Sequence, residues 1–291
     1  MSALGFDAPL SQPAQARVLW ARFRRNRAAV FGLALFAAVA LAALLADVIA
    51  PGDPLARAGA PLTPPFADRA MPLGTDQLGR DILAGILHGA RISLLIGVVA
   101  TLISIVIGML IGAASGYFGG WIDNLLMRVT EAFQTIPSFV LLLVLVAIFG
   151  STIETIIIGI GVVSWTAPAR IVRAEFMALR SREFVDAARN LGVGTPAIIF
   201  REILPNALPP AIVFASVVMA TAILMESALA FLGLGDPNFA SWGNMIGQGR
   251  AVLRTDWHCT VIPGIAILLT VLSFSLLGDG LNDLLNPRQK K

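Results

Sequence analysis

Asp186-Ala-Ala-Arg-Asn-Leu-Gly-Val-Gly-Thr-Pro-Ala-Ile-Ile-Phe-Arg-Glu-Ile-Leu-Pro205 is a polar, basic island between long apolar stretches. Two adjacent alanines among good helix formers predict a short helix over 184–191, and Gly192 stands where a left-handed C-cap belongs. Thr195 followed by Pro196 reads as an N-cap with proline at the first helical position. A second helix over 197–204 is expected to stop before Pro205, because a proline ring clashes with the preceding turn. The expected unit is helix, glycine turn, helix. Small Ala187 and Ala188 would let another protein approach the first helix closely, inside a rim of Arg182, Glu183, Asp186, Arg189, Arg201 and Glu202. The same composition also suits a loop that packs on its own bundle.

The surroundings of the island define the class of molecule. Of 291 residues, 57% are hydrophobic and 13% charged, and the mean hydropathy is +0.81. That is too apolar for a soluble domain of this size, so an all-α integral membrane protein is expected. Six spans of roughly the 17 to 25 residues a bilayer requires are expected over 29–50, 93–117, 136–150, 153–172, 207–231 and 259–281. The third and fourth are separated only by a turn around Ser151. The third is short unless it begins earlier, in the amphipathic stretch Asp123 to Thr135.

Lysine and arginine set the orientation. With a cytoplasmic N-terminus, the inside segments hold fifteen of the 21 basic residues, and the outside segments keep only Arg57, Arg69, Arg80, Arg91, Arg250 and Arg254. The positive-inside rule then puts both termini and the island in the cytoplasm. The net charge of +3 and pI near 9.7 reflect that asymmetry and contact with anionic lipid headgroups, and carry no nucleic-acid footprint. The arm Trp20-Ala-Arg-Phe-Arg-Arg-Asn-Arg27 suits the cytoplasmic interface. No cleaved leader is expected, since the apolar run starts too late and continues too long. The single cysteine, Cys259, excludes an internal disulfide and reads as a small residue in or near the last span.

A second constellation is Leu73-Gly-Thr-Asp-Gln-Leu-Gly-Arg-Asp81, continuing to Gly89-Ala-Arg-Ile-Ser93. Thr75 or Asp76 can cap an interfacial helix beginning near Gln77, and Arg80 beside Asp81 allows local charge pairing. In the second span, Ser104, Gly108, Gly112 and Gly116 recur every four residues, a small-residue ladder suited to close helix packing or to a tight pore wall. Pro168 can bend or end the fourth span, and Pro209 with Pro210 can do so near the start of the fifth.

Ionisable residues at membrane depth are functional candidates because their burial is costly. Glu226, beside Met225 and Ser227, either lines a translocation path with Met225 or serves an internal hydrogen-bonded packing role. Asp279 is expected to pair with backbone or an arginine near the cytoplasmic face, and Glu131 and Glu154 to lie near interfaces. Trp242 and Trp257 read as interface anchors or as contacts to a partner. No GxxxxGK[ST] loop is present, so P-loop ATP hydrolysis is not expected of this chain. His88 and His258 read as interfacial, without metal-site spacing, and no hydrolase triad stands out.

The spacing of the island, Asp-Ala-Ala, three residues, Gly, then Ile203-Leu204-Pro205, resembles the coupling loop of ABC importer permeases. Asp186 stands where the family usually has glutamate, and the isoleucine adjoins the leucine as in the peptide and nickel branch. The Leu73–Asp81 and Gly89–Ser93 motifs, Gly116-Tyr-Phe-Gly-Gly120 with Asp123, Phe231-Leu-Gly-Leu-Gly235, Trp242-Gly243 and Gly278-Asp-Gly280 are similar to the C-type permeases of dipeptide, oligopeptide and nickel importers, from the first span to residue 287.

That resemblance implies the six-helix fold of type I importer permeases. It divides the chain into a basic arm over 1–28, a first span over 29–50, an external loop with an interfacial helix over 51–88, a permease core over 89–283 with its coupling loop at 182–206, and a tail over 284–291. Phe184, Asp186, Ala187, Ala188, Leu191, Gly192, Leu204 and Pro205 would couple to an ATPase. The chain itself would hold no cofactor or metal and be no enzyme; ATP and Mg would be bound by partner subunits. Those partners would be a second homologous permease, two ATP-binding subunits and an extracytoplasmic solute-binding protein that docks near 236–254. Peptide is the expected solute, with nickel complexes, glutathione and opine-like solutes as other cargoes of the branch. A self-sufficient ion-coupled transporter working as a dimer, with Glu226 or Asp279 relaying protons, is the reading from another class, and a membrane enzyme or scaffold is a third.

Overall fold

The structure, a computed structural model, describes residues 23–285. The arm before Phe23 and the tail after Leu285 lie outside the described residues. Helix α1 (Arg27–Leu44) is capped by Asn26, whose side chain accepts from the Ala29 amide at 3.1 Å. The same Asn26 donates its amide to Asp283 at 2.8 Å, which joins the start of α1 to the end of the last helix. A short α2 (Ala46–Ile49) follows.

No helix precedes Asp81 in the loop over 51–81. Thr75 and Asp76 therefore do not cap an interfacial helix near Gln77. Thr75 instead bridges to Asp81, and the Asp76 carboxylate closes a turn by accepting from the amides of Leu78 and Arg80 at 2.8 and 2.9 Å. The cap is Asp81, which accepts from the Leu83 amide at 2.9 Å and opens α3 (Ile82–Phe118). Arg80 reaches Gln248 and does not pair with Asp81. At 1.5 Å per residue α3 is roughly 55 Å long. It thus starts well before the expected Ser93 and extends beyond a hydrocarbon core of about 30 Å.

The middle of the chain holds two broken spans. Helices α4 (Gly120–Thr135) and α5 (Ser138–Phe149) meet at 80°, and α6 (Ile153–Ser164) and α7 (Thr166–Leu179) at 41°. Ile136 before Pro137 is extended, as a residue preceding proline prefers, and this turns the chain. The amphipathic stretch 123–135 is helical as expected, but it departs at the bend and does not lengthen the third span in line. Between α5 and α6, Gly150 turns at φ +92° and Thr152 caps α6.

Helix α8 (Glu183–Asn190) leads through a turn to α9 (Thr195–Ala197), a π-helical segment (Ile198–Ile203) and α10 (Leu204–Phe231). The path is therefore helical straight past Pro205, contrary to the expected stop. The wider π turn removes the i to i−4 register in which a proline ring collides with a carbonyl. Pro209 and Pro210 likewise lie inside α10. The cap before this unit is Gly194, one residue earlier than the expected Thr195. Helices α11 (Trp242–Gly249) and α12 (His258–Leu285) complete the described residues.

Helix α3 is the central post, packed on α7, α6, α10 and α1, while α12 packs between α1 and α10. The small-residue ladder settles its closest partner. Gly108 faces Pro168 and the Trp165 carbonyl, Gly112 faces Ala169 and Val172, and Gly116 faces Arg173 and Phe176, so the ladder is a helix-packing face against α7. On the other side, Gly32 of α1 abuts Leu276, and the Phe36 and Phe274 rings lie 5.2 Å apart.

Candidate functional site

The island folds as one exposed unit at the end of the bundle. Helix α8 ends at Asn190 with Leu191 as its C-cap, and Gly192 at φ +79° reverses the chain while its amide donates to the Arg189 carbonyl at 2.9 Å and the Val193 amide to the Ala188 carbonyl at 3.0 Å. No atom lies within 4 Å of where a Gly192 side chain would begin. The glycine is thus required for its backbone angle and not for space.

Burial divides the expected contact residues. Val185 and Ala188 seal α8 against Ile198, Ile203, Val172 and Phe176. Ala188 is therefore part of the bundle and not, as its small size suggested, open to a partner. Phe184, Asp186, Ala187, Leu191 and Gly192 are exposed, Leu191 at 83%. Leu204 is half-buried and Pro205 exposed at the start of α10. The sequence reading missed Val193 and Phe200, which are also exposed and extend the apolar surface. Their signal was available as two large apolar residues after Gly192, within an otherwise polar and basic segment.

This unit is wired to the spans beneath it. Arg173 of α7 donates to both carboxylate oxygens of Asp123 in α4, Nε at 2.6 Å and Nη2 at 2.7 Å, and Ser115 at the end of α3 donates to the same carboxylate. Arg180, just before α8, donates to the Tyr117 carbonyl at 3.0 Å. Arg189 of α8 bonds Asp186 at 3.3 Å and lies 5.9 Å from the centroid of the Tyr117 ring. Three helices of the bundle and α8 thus share one polar joint, in which the bidentate guanidinium–carboxylate geometry sets angle as well as distance.

At the other end of α10, Glu226 is buried, and its carboxylate accepts from Ser241 Oγ at 2.6 Å and Ser227 Oγ at 3.4 Å. Ser241 also caps α11 through the Asn244 amide at 3.1 Å. A side chain at Gly243 would meet both Glu226 oxygens within 2.8 Å, so α11 approaches the carboxylate only because this residue is glycine. These bonds are those of the hydrogen-bonded packing role read for Glu226, which also borders a small cavity with Ile153 and Asp236. Met225 is buried beside it, on the border of a groove along α10. Asp236 closes the neighbouring turn and accepts from the Ile153 amide at 3.0 Å, which ties the start of α6 to the loop before α11.

Several side chains sit where sequence did not put them. Trp242 is neither an interface anchor nor exposed: it is buried, its indole N–H donating to the Ile86 carbonyl at 3.0 Å with Gly89 beneath the ring. Trp257 is 55% exposed. His258 is buried against the Thr75 carbonyl at 3.3 Å, and Cys259 reaches the same carbonyl. His88 contacts the Ala50 carbonyl at 2.9 Å. Asp279 is exposed and makes no hydrogen bond or ion pair among the described residues, contrary to the expected pairing. Glu131 is exposed and lies 3.9 Å from Arg128, and Glu154 is exposed at the start of α6.

A bundle of long apolar helices, two of them bent pairs, with one exposed helix–turn–helix has the make-up of a multi-pass membrane protein. The chain belongs to the binding-protein-dependent transport system inner membrane component family, whose model matches residues 104–291. A model of the N-terminal TM domain of oligopeptide transport permease C matches residues 15–65. Among curated relatives, the di/tripeptide transport system permease protein DppC of Pseudomonas aeruginosa is 38% identical over 290 residues, covering 98% of this chain and 96% of that protein. A putative peptide permease protein of Brucella suis is 41% identical over 275 residues, covering 92% and 89%. In structure, the chain is similar to a permease chain of the MetNI methionine ABC transporter in inward-facing conformations. The TM-score is 0.56 at 18% identity, covering 69% of this chain and 95% of that one, a likeness of fold. This chain is the membrane-spanning, non-catalytic permease subunit of an ABC importer in the inner membrane. The ion-coupled alternative is not favoured by these relationships.

Proposed function

We propose that this permease carries di- or oligopeptides inward, driven by ATP hydrolysis in partner subunits that dock on α8 and the glycine turn after it. The single observation that carries the docking is the exposed surface of Phe184, Ala187, Leu191, Val193 and Phe200, an apolar patch rimmed by charge on a segment otherwise sealed to its own bundle. The permease names of the relatives support peptide as the solute.

In this reading the partners are a second, homologous permease, two ATP-binding subunits that hold ATP and Mg, and an extracytoplasmic solute-binding protein. The bias of basic residues toward the α8 side supports a cytoplasmic position for that end and for both termini. Closure of the ATPases draws the two coupling segments together, and the Asp123–Arg173 joint passes the motion to α4 and α7. The spans then rock as packed bodies between inward- and outward-open states. Glu226 holds α10 to α11 as one body during that motion.

Affinity capture of the tagged permease in mild detergent, wild type beside Gly192→Asp, tests the docking. Aspartate is one of the few residues that tolerate a positive φ and the space around Gly192 is open, so the variant is expected to fold and insert while straining the turn and adding charge to the contact. Wild type should bring down an ATPase and show ATP turnover, and the variant should lose one or both. No ATPase with wild type across several detergents would sink the reading.

A further inference from the structure

The two breaks in the spans meet at one place. The bend at Ile136–Pro137 and the break at Trp165 both border a groove of about 270 Å³ whose far wall is α10 from Phe214 to Met225. Helices α5 and α6 are each 12 residues long and join through the turn at Gly150–Thr152. At 1.5 Å per residue both breaks lie about 18 Å along their helices from that turn, a shorter run than the roughly 30 Å needed to cross a hydrocarbon core. Backbone groups released by a break partway along a span need protein or water, and lipid supplies neither.

The side chains at the groove have the same need. Ser138, Ser164 and Thr166 border it, and their hydroxyls make no hydrogen bond among the described residues. Thr221 donates to its own helix at Val217 and keeps its acceptor capacity. The Gln134 carbonyl accepts weakly from Arg170 at 3.4 Å, which leaves its two amide hydrogens free. Between these polar points lie Phe214, Val217 and Met225, and no ionisable side chain lines the groove. The surface offers neutral donors and acceptors at intervals on an apolar wall. Amide groups repeated along a chain, with variable side chains between them, match that pattern.

We propose that this groove is the wall along which the solute passes, and that Ser138, Ser164, Thr166 and Thr221 bond to its backbone amides and not to side-chain charge. The proposal rests on the peptide reading above and specifies how a peptide would be held. Discontinuous helices that present free backbone groups at mid-membrane are a general means of building such a site.

Single cysteines at Ser138, Ser164 and Thr221 test it, nearly isosteric at the two serines and one methyl group smaller at Thr221. The only native thiol, Cys259, is buried, so wild type supplies the blank. Val144→Cys and Leu268→Cys, at exposed apolar positions outside the groove, are the references. The probe is a trimethylammonium methanethiosulfonate applied to membranes carrying the complete importer, and the solute is trialanine with ATP. Groove cysteines should react at least ~10-fold faster than the references, since the reagent needs a hydrated thiolate, and trialanine with ATP should slow them severalfold. Reaction as slow as at the references would mean that lipid or the second permease covers the groove, and would overturn the assignment whatever the cargo. Fast reaction that trialanine leaves unchanged, in an importer that accumulates trialanine, would also overturn it. Failure of the peptide reading is seen separately, as an absence of trialanine uptake by wild type, and it removes the proposal with it.

Discussion

Gly108→Ala adds one methyl group where α3 and α7 touch, and the structure gives the size of the disturbance. A Cβ at Gly108 lies 2.6 Å from Cβ of Pro168, 2.9 Å from the Ala169 amide nitrogen and 3.0 Å from the Trp165 carbonyl oxygen. All three are backbone or ring-bound atoms that cannot swing aside. Ordinary contact begins at 3.4 Å, so the helices must part by the 0.8 Å that separates it from 2.6 Å. Gly112 and Gly116 hold the same two helices at similar closeness, so the separation spreads along the interface. Overpacking of this kind costs about 1–3 kcal/mol. The midpoint of that range, about 2 kcal/mol, shifts an equilibrium roughly 30-fold. Gly264→Ala is the matched control: it is helical, nothing lies within 4 Å of its Cβ position, and alanine should gain up to about 1 kcal/mol there. Thermal unfolding of the detergent-solubilised protein, followed by size-exclusion fluorescence, should show Gly108→Ala melting about 5 °C below wild type and Gly264→Ala at or above it. Equal melting of the two variants would refute the claim that the ladder is a contact face.

Arg173→Lys keeps the charge but loses the fork that grips both oxygens of Asp123; it should lower trialanine uptake several-fold at normal membrane abundance, and unchanged uptake would show that the joint carries no motion. Ser241→Ala removes both the α11 cap and the closest donor to buried Glu226, and should destabilise by roughly 2–3 kcal/mol, with partial recovery on adding Glu226→Gln; melting temperatures decide. Desolvation raises the Asp81 carboxyl above its ordinary range although it accepts from the α3 backbone. Asp81→Asn should therefore keep or raise stability by preserving the cap without the charge, whereas Asp81→Ala should cost about 1 kcal/mol, which a thermal shift comparison of the two variants will read.

Signals confined to one turn of chain were legible from the sequence alone. Gly192 was recognised as a left-handed cap because a positive φ next to a helix end is a local requirement. Apolar length marked the long helices, because crossing a bilayer is a one-dimensional demand. The order of the motifs, from Leu73–Asp81 to Gly278–Gly280, carried the family. Where the reading failed, a local rule had met a non-local answer. Pro205 should have ended a helix, but a six-residue π-helical segment before it absorbed it. Asp76 had the chemistry of a cap and was used for a turn, while Asp81 capped α3.

The tertiary structure alone decided what each face meets. The four-residue repeat from Ser104 to Gly116 announced a close contact but could not name α7, whose Pro168, Val172 and Phe176 supply the other side. Nothing in the sequence names Ser241, fifteen residues on, as the partner that donates to Glu226 at 2.6 Å. Trp242 resembled an interface anchor until Gly89 and the Ile86 carbonyl enclosed it from 150 or so residues away, a separation no pattern of period 3.6 can span. Composition and short-range periodicity fix which backbone states and which environments a segment prefers. The pairing of one surface with another depends on shapes and hydrogen-bond partners that exist only once the chain has come together.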